Sequence, residues 1–292
     1  MKNRNIILAI AINLLITLSE ITIGIFAGSL ALISDALHNF SDVGSMGLSL
    51  WGEKVKERKP TPSKTYGYKR AEIVIALFNA LALLAVVVFV FVEAVKRLLH
   101  PAEISAELML IVALIALIGN GIATHLLEKD SHENLNLKSA WLHSLQDALF
   151  SLGVVVAAAV IHYTHWFIID PLISIFLSIY ILKEVYGLIR QTVSILMESV
   201  PDDINAAEVK KELVALKGVK SVEDLHIWQT GSENRFLSAH LIVGDIESKA
   251  RHDLLCKISE TLDKNFRIHH MTIQMVSADE KRELNCNHCS TQ

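Results

Sequence analysis

The chain has 292 residues, 52% of them hydrophobic and 20% charged, and its mean hydropathy is +0.41. That is too apolar for an ordinary soluble domain. The formal net charge of −4 adds little, and no nucleic-acid partner is expected.

Six apolar runs recur, at about 6–27, 30–51, 71–95, 106–127, 139–163 and 166–189. Each reaches the roughly 20 residues that a helix needs to cross a bilayer. An all-α six-helix transmembrane bundle over residues 1–199 is the expectation. The first run follows Lys2 and Arg4, as a signal peptide would. It is too long for one, however, and no small-residue cleavage site is followed by a soluble mature chain, so it is expected to remain as the first span. Asn13 and Glu20 mark this run, and Glu20, near its outer end, is a candidate for an exit path.

The second run carries Ser34, His38, Ser41, Asp42, Ser45 and Ser49, spaced so that they line one helical face. The loop after it holds Lys54, Lys56, Arg58, Lys59, Lys64, Lys69 and Arg70, whereas the loops after the first and fifth runs hold no Lys or Arg. The positive-inside rule places that basic loop in the cytoplasm, and six spans then put both termini there. Glu72 and Asn79 fall in the third run, Asn120 and His125 in the fourth. Glu72 and His125 lie near the cytoplasmic ends, where solvation is expected. The fifth run repeats the polar stripe with Ser139, His143, Gln146, Asp147 and Ser151. Lipid cannot hydrogen-bond such stripes, so both are expected to face protein or a water-filled cavity. Asp170 opens the sixth run and is a second exit-path candidate.

Composition changes near Glu198-Ser-Val-Pro201. Residues 205–216 read as a helix capped by Asp203 or Asn205, 219–230 and 235–243 as strands, 249–263 as a second helix and 268–276 as a third strand. Residues 200–284 are therefore expected to form a small α+β domain of order αββαβ, ferredoxin-like, for metal binding and dimerisation, with 285–292 as a tail. The three cysteines, Cys256, Cys286 and Cys289, all follow the last span in a region expected to be reducing. Cys256 reads as a small core residue.

The pattern S-x-x-L-H-x-x-x-D occurs twice, as Ser34…His38…Asp42 and Ser139…His143…Asp147. A His and an Asp four apart share one helical face, roughly 6 Å apart along the axis. Two such helices face to face present two imidazoles and two carboxylates to one point, a tetrahedral set suited to zinc. Ionisable groups at membrane depth cost about 2.5–3.5 kcal/mol each on insertion scales, so four in a repeated geometry mark a functional site. The chain reads as a transporter for a divalent metal. A membrane metalloenzyme is disfavoured, because four protein ligands close the site and no H-E-x-x-H is present. A membrane metal sensor leaves the polar stripes unexplained.

These two helices, the segment Ser29-Leu-Ala-Leu-Ile-Ser-Asp-Ala-Leu-His38, the Asp170-Pro171 pair and the C-terminal domain resemble the cation diffusion facilitator family, in particular its zinc-transporting branch. The resemblance implies a homodimer in the cell membrane that exports cytoplasmic Zn²⁺ in exchange for protons by alternating access. Its transport site is implied to be His38, Asp42, His143 and Asp147, with histidine at both first positions favouring zinc over a broader range of divalent metals. His226, His240 and His269 resemble the regulatory zinc ligands of the C-terminal domain. Relatives commonly place a carboxylate near Val276, and Cys286 and Cys289 of the tail are candidates to fill that place. No further site is carried into the second-to-third loop, which has no His over 53–70, and the loop over 128–138 holds only His132. Short loops and the lack of a targeting segment favour a bacterial plasma membrane.

Overall fold

The computed structural model describes residues 2–56, 58–131, 135–231, 234–244 and 247–277. Six long helices come first: α1 (Lys2–Ala27), α2 (Leu30–Lys56), α3 (Ala71–Leu99), α4 (Ala106–Ser131), α5 (Leu135–Thr164) and α6 (Ile169–Leu196). By length and composition α3 to α6 suffice to cross a membrane, and the stretch Ala11–Ala27 of α1 is a shorter apolar helix. Large apolar side chains such as Leu15, Phe26, Phe78, Phe89, Ile118, Leu149 and Phe176 point outward. Glu20, Asp35, His38, Asn39, Asn120, Asp147 and Ser151 are buried. An apolar outside around a polar inside is the arrangement a lipid solvent selects.

The chain divides into two compact units, the first made of Met1–Trp51 and Ile75–Ile189. Its main core joins Ala31 and Leu32 of α2 to Met109, Val112 and Ala113 of α4, Val154 to Ile161 of α5 and Leu177 of α6. A smaller core packs Ala80 and Val87 of α3 against Ile181 and Val185 of α6. Gly28, at φ +70°, makes the turn between α1 and α2 in a conformation that side chains with a Cβ rarely adopt. The exposed amides at the start of α2 then find a partner across the bundle. Asp170 of α6 accepts from the Ser29 hydroxyl at 2.5 Å and from the Leu30 and Ala31 amides at 2.9 and 3.1 Å. A carboxylate at a helix N-terminus satisfies orphan donors and meets the positive end of the macrodipole. Asp170 therefore holds α2 in place, a use that the exit-path expectation missed. One turn further along, the Ser34 and Ser174 hydroxyls lie 2.7 Å apart and tie the same two helices together.

The second unit is made of Gly52–Val74 and Arg190–Gln292, so it takes in the basic loop and the end of α6, which the sequence reading grouped with the spans. It contains α7 (Ala206–Ala215), β1 (Val219–Gln229), β2 (Arg235–Val243), α8 (Ser248–Phe266) and β3 (His270–Ser277). The αββαβ order is as expected. Asn205 is the cap of α7, its side-chain oxygen accepting from the Ala207 amide at 2.9 Å. The strands form a mixed sheet in the order β1-β2-β3, antiparallel then parallel, with α8 as the crossover between β2 and β3. Leu237, Ala239, Leu241 and Val243 bury one face of β2 with Val209, Leu213, Leu254, Ile258 and Leu262 from α7 and α8. On the other face Trp228 stacks on Phe236, Tyr66 of the basic loop meets Phe236 edge-on at 5.3 Å, and the Lys69 ammonium lies 5.4 Å from the Phe236 ring. These contacts bring the loop into the second unit. Cys256 is exposed on α8, with its sulfur 3.7 Å from His252 Nε2, and is not a core residue. The buried stripe of α8 is Leu254, Ile258 and Leu262, and a residue two positions from two of them faces the opposite way.

Candidate metal centre

In α5 the histidine and aspartate spacing does what helical periodicity dictates, and His38 of α2 faces the pair. His38 Nε2 lies 3.4 Å from Asp147 Oδ1, and His143 Nε2 lies 3.9 Å from Asp147 Oδ2. One ligand atom from each of His38, His143 and Asp147 falls within 4.8 Å of the others. The first separation is close to the edge of a tetrahedron whose ligands sit about 2.0–2.1 Å from its centre. Among the described residues this is the one group of three or more His, Cys, Asp or Glu side chains placed to share an ion. The backbone of Asp42 is in α2, four residues after His38, but its side chain lies outside the described residues.

Burial differs across the cluster in a useful way. The His38 and Asp147 side chains are 3% and 2% exposed, whereas that of His143 is 41% exposed. His143 is thus the most accessible of the three, and His38 and Asp147 are the enclosed ones. Aromatic rings support His38. Phe150 of α5 and Tyr180 of α6 approach it edge-on at 5.5 and 5.9 Å and contact each other at 4.9 Å. On its other nitrogen, His38 Nδ1 is 3.7 Å from Glu184 Oε2 of α6. A carboxylate beside the second ring nitrogen favours the tautomer that leaves Nε2 as the metal-facing lone pair. Sequence reasoning passed over Glu184, although an acid inside the sixth run is the kind of residue that depth alone should flag.

Behind these residues lies a further polar layer. The Asn120 amide donates to Ser151 Oγ at 3.0 Å, and Ser151 donates to Asp35 Oδ2 at 3.3 Å. The Asn39 amide donates to Glu20 Oε2 at 3.2 Å, and the Glu20 carboxyl meets that of Asp35.

The three histidines of the second unit do not converge within one chain. His226 pairs with Ser238 across β1 and β2, and His240 pairs with Glu223, so both lie on the sheet face away from α7 and α8. A bulge separates Glu223 from His226, with Asp224 at φ +50° and its carboxylate 2.9 Å from His226 Nε2. His269 precedes β3, and its Nδ1 is 2.6 Å from Asp263 of α8. The next residue, His270, pairs with Phe236, four positions from His240, which is about 13 Å along a strand. Val276 is buried in β3. Cys286 and Cys289 lie outside the described residues. Among the described residues, the three histidines therefore do not make up a metal set within one chain.

Residues 6–197 match the family model for the cation efflux transmembrane domain, and residues 201–277 match that for the cation efflux protein, cytoplasmic domain. The metal cation efflux system protein CzcD of Cupriavidus metallidurans is 35% identical over 94% of this chain and 86% of its own. The zinc transporter ZitB of Pectobacterium atrosepticum is 33% identical over 99% of this chain and 89% of its own. A cadmium, cobalt and zinc/H(+)-K(+) antiporter of Bacillus velezensis is 36% identical over 87% of this chain and 82% of its own.

Proposed function

The chain belongs to the cation efflux family, and from that premise we propose that it is a secondary active transporter exporting cytoplasmic Zn²⁺ across the cell membrane in exchange for protons. The carrying observation is the convergence of His38, His143 and Asp147 inside a bundle whose exterior is apolar. Asp42 is proposed as the fourth ligand, completing two imidazoles and two carboxylates. Nitrogen and oxygen ligands suit transport, because thiolates would bind zinc more tightly and slow its release. Each ligand must be deprotonated to coordinate, so protons and metal compete for the same groups. An unperturbed imidazole titrates near pH 6.5, within the physiological range. Metal arrives through the exposed His143, is enclosed by His38 and Asp147, and is displaced by protons when the site faces outward. Exchange then needs no separate proton site.

The positive-inside rule puts the basic loop and both termini in the cytoplasm. The protein works as a homodimer on this reading, in keeping with the C-terminal match. His226 and His240 on one open sheet face, and His269 at its edge, act as regulatory zinc ligands only if a second chain or the tail residues Cys286 and Cys289 complete the set. A broader range that includes Cd²⁺ and Co²⁺ is the alternative, favoured by the name of the Bacillus relative.

Uptake of Zn²⁺, Cd²⁺ and Co²⁺ into proteoliposomes, with and without an acidic interior, tests the proposal. Saturable uptake accelerated by the outward proton gradient is expected, with Zn²⁺ preferred. Absence of flux for every metal would overturn it.

A further inference from the structure

The His/Asp centre leaves a second buried polar group without a task. Glu20 of α1 is 0% exposed, and Asp35 and Asn39 of α2 are each 1% exposed. Asp35 lies three residues before His38, about 4.5 Å along the helix axis, and its Ser151 partner lies four residues after Asp147, about 6 Å along α5. Both offsets run toward the same ends of the helices, the N-terminal end of α2 and the C-terminal end of α5. This layer therefore sits one step further along the bundle than the metal centre.

Its chemistry is unbalanced in a particular direction. The Glu20 and Asp35 carboxyls meet, Asn39 Nδ2 donates to Glu20 Oε2, and Ser151 donates to Asp35. Two further oxygens, Glu20 Oε1 and Asn39 Oδ1, are buried and receive no hydrogen bond. Because Asn39 Nδ2 donates to the Glu20 carboxyl, Oδ1 of the same amide is held beside it. With both carboxyls ionised, the surplus is entirely of acceptors. Adjacent carboxylates in a low-dielectric interior repel strongly, and orphaned buried acceptors are costly. One divalent cation answers both deficits at once.

We propose that Glu20, Asp35 and Asn39 form a second, all-oxygen site for the transported divalent cation, a waypoint between the His38–His143–Asp147 centre and the outer face. This rests on the export reading, which makes the N-terminal end of α2 the exit side. Carboxylate and amide oxygens bind Zn²⁺ less tightly than a set containing imidazoles. Passage from the histidine centre to this site is therefore a step down in affinity toward release. Ser151, itself held by Asn120, fixes one oxygen of the Asp35 carboxylate.

The test uses the full-length protein and Glu20→Gln, Asp35→Asn and Glu20→Asp variants. Glutamine is isosteric with glutamate and can donate its amide to Asp35, so a purely structural pair would keep its stability and its flux. A cation site loses one of its two charges. Expected for Glu20→Gln and Asp35→Asn are unchanged unfolding temperature, high-affinity Zn²⁺ binding within about threefold of the parent, and flux reduced about tenfold or more, while Glu20→Asp recovers most of it. Equilibrium dialysis against high Zn²⁺ should also count one ion fewer per chain in Glu20→Gln than in the parent. Flux within twofold of the parent in both neutralised variants, or an unchanged ion count, overturns the waypoint and leaves the export reading intact. A parent protein that moves no metal removes both. If Glu20→Gln does not fold, Asp35→Asn and Glu20→Asp decide by the same flux criterion.

Discussion

His38 is gripped from several sides, with Asp147 near Nε2, Glu184 near Nδ1 and the rings of Phe150 and Tyr180 at its edges. Its identity should therefore set which metal fits. His38→Asp should keep measurable transport but raise Cd²⁺ or Mn²⁺ flux relative to Zn²⁺ by about tenfold, since a carboxylate hardens the site and relaxes its preference for tetrahedral nitrogen ligands. Competition between metals in proteoliposomes reads this out, and an unchanged ranking would count against the assignment. The grouping of His143 with Asp147 was legible in the sequence because a four-residue spacing survives folding as a shared helical face. Glu184 and the Glu20–Asp35 pair were not, for different reasons. Glu184 follows Lys183, and two adjacent opposite charges read as a self-compensating pair rather than as a site. Glu20 and Asp35 stand on different helices, and only packing brings them together.

The N-terminus of α2 depends on a residue about 140 positions away in the chain. Asp170→Ala removes the acceptor for the Ser29 hydroxyl and the Leu30 and Ala31 amides, all in a buried setting. Stability should fall by about 1–3 kcal/mol, with Asp170→Asn intermediate because its carbonyl oxygen still accepts. Thermal unfolding of the purified protein measures this. Metal affinity at the His/Asp centre should survive, since Asp170 touches none of its ligands; an unchanged unfolding temperature would show that the cap is dispensable. The six helices and the αββαβ order were readable from length and periodicity, and Asn205 from cap chemistry. The role of Asp170 was not, because a carboxylate capping a helix it does not belong to leaves no mark on either helix's own pattern. The exposure of Cys256 was lost for a related reason: α8 is partly polar, and Cys256, two residues from both Leu254 and Ile258, falls on the face opposite the buried stripe of Leu254, Ile258 and Leu262.

The basic loop, read from sequence as a connection between spans, folds into the second unit through Tyr66, Lys69 and the ion pair of Arg70 with Glu198. Such contacts have no periodic signature in the sequence. The histidines of this unit are off the transport centre. His226→Ala is therefore expected to shift the zinc concentration needed for half-maximal flux, or to lower the maximal rate several-fold, without abolishing transport. Flux measured against cytoplasmic-side zinc concentration checks it, and an unaltered curve would make His226 an ordinary strand residue. Stability of the membrane unit and movement of metal through it are separable properties. The most direct measurement records Zn²⁺ uptake and proton release together in proteoliposomes containing the parent protein, Asp147→Ala or His143→Ala. Removing a ligand leaves a dication undercompensated in a low-dielectric interior. Both signals should be present and coupled in the parent and abolished in both variants, with the variants still folded and monodisperse. Near-normal zinc uptake by both variants would contradict a transport centre at His38, His143 and Asp147.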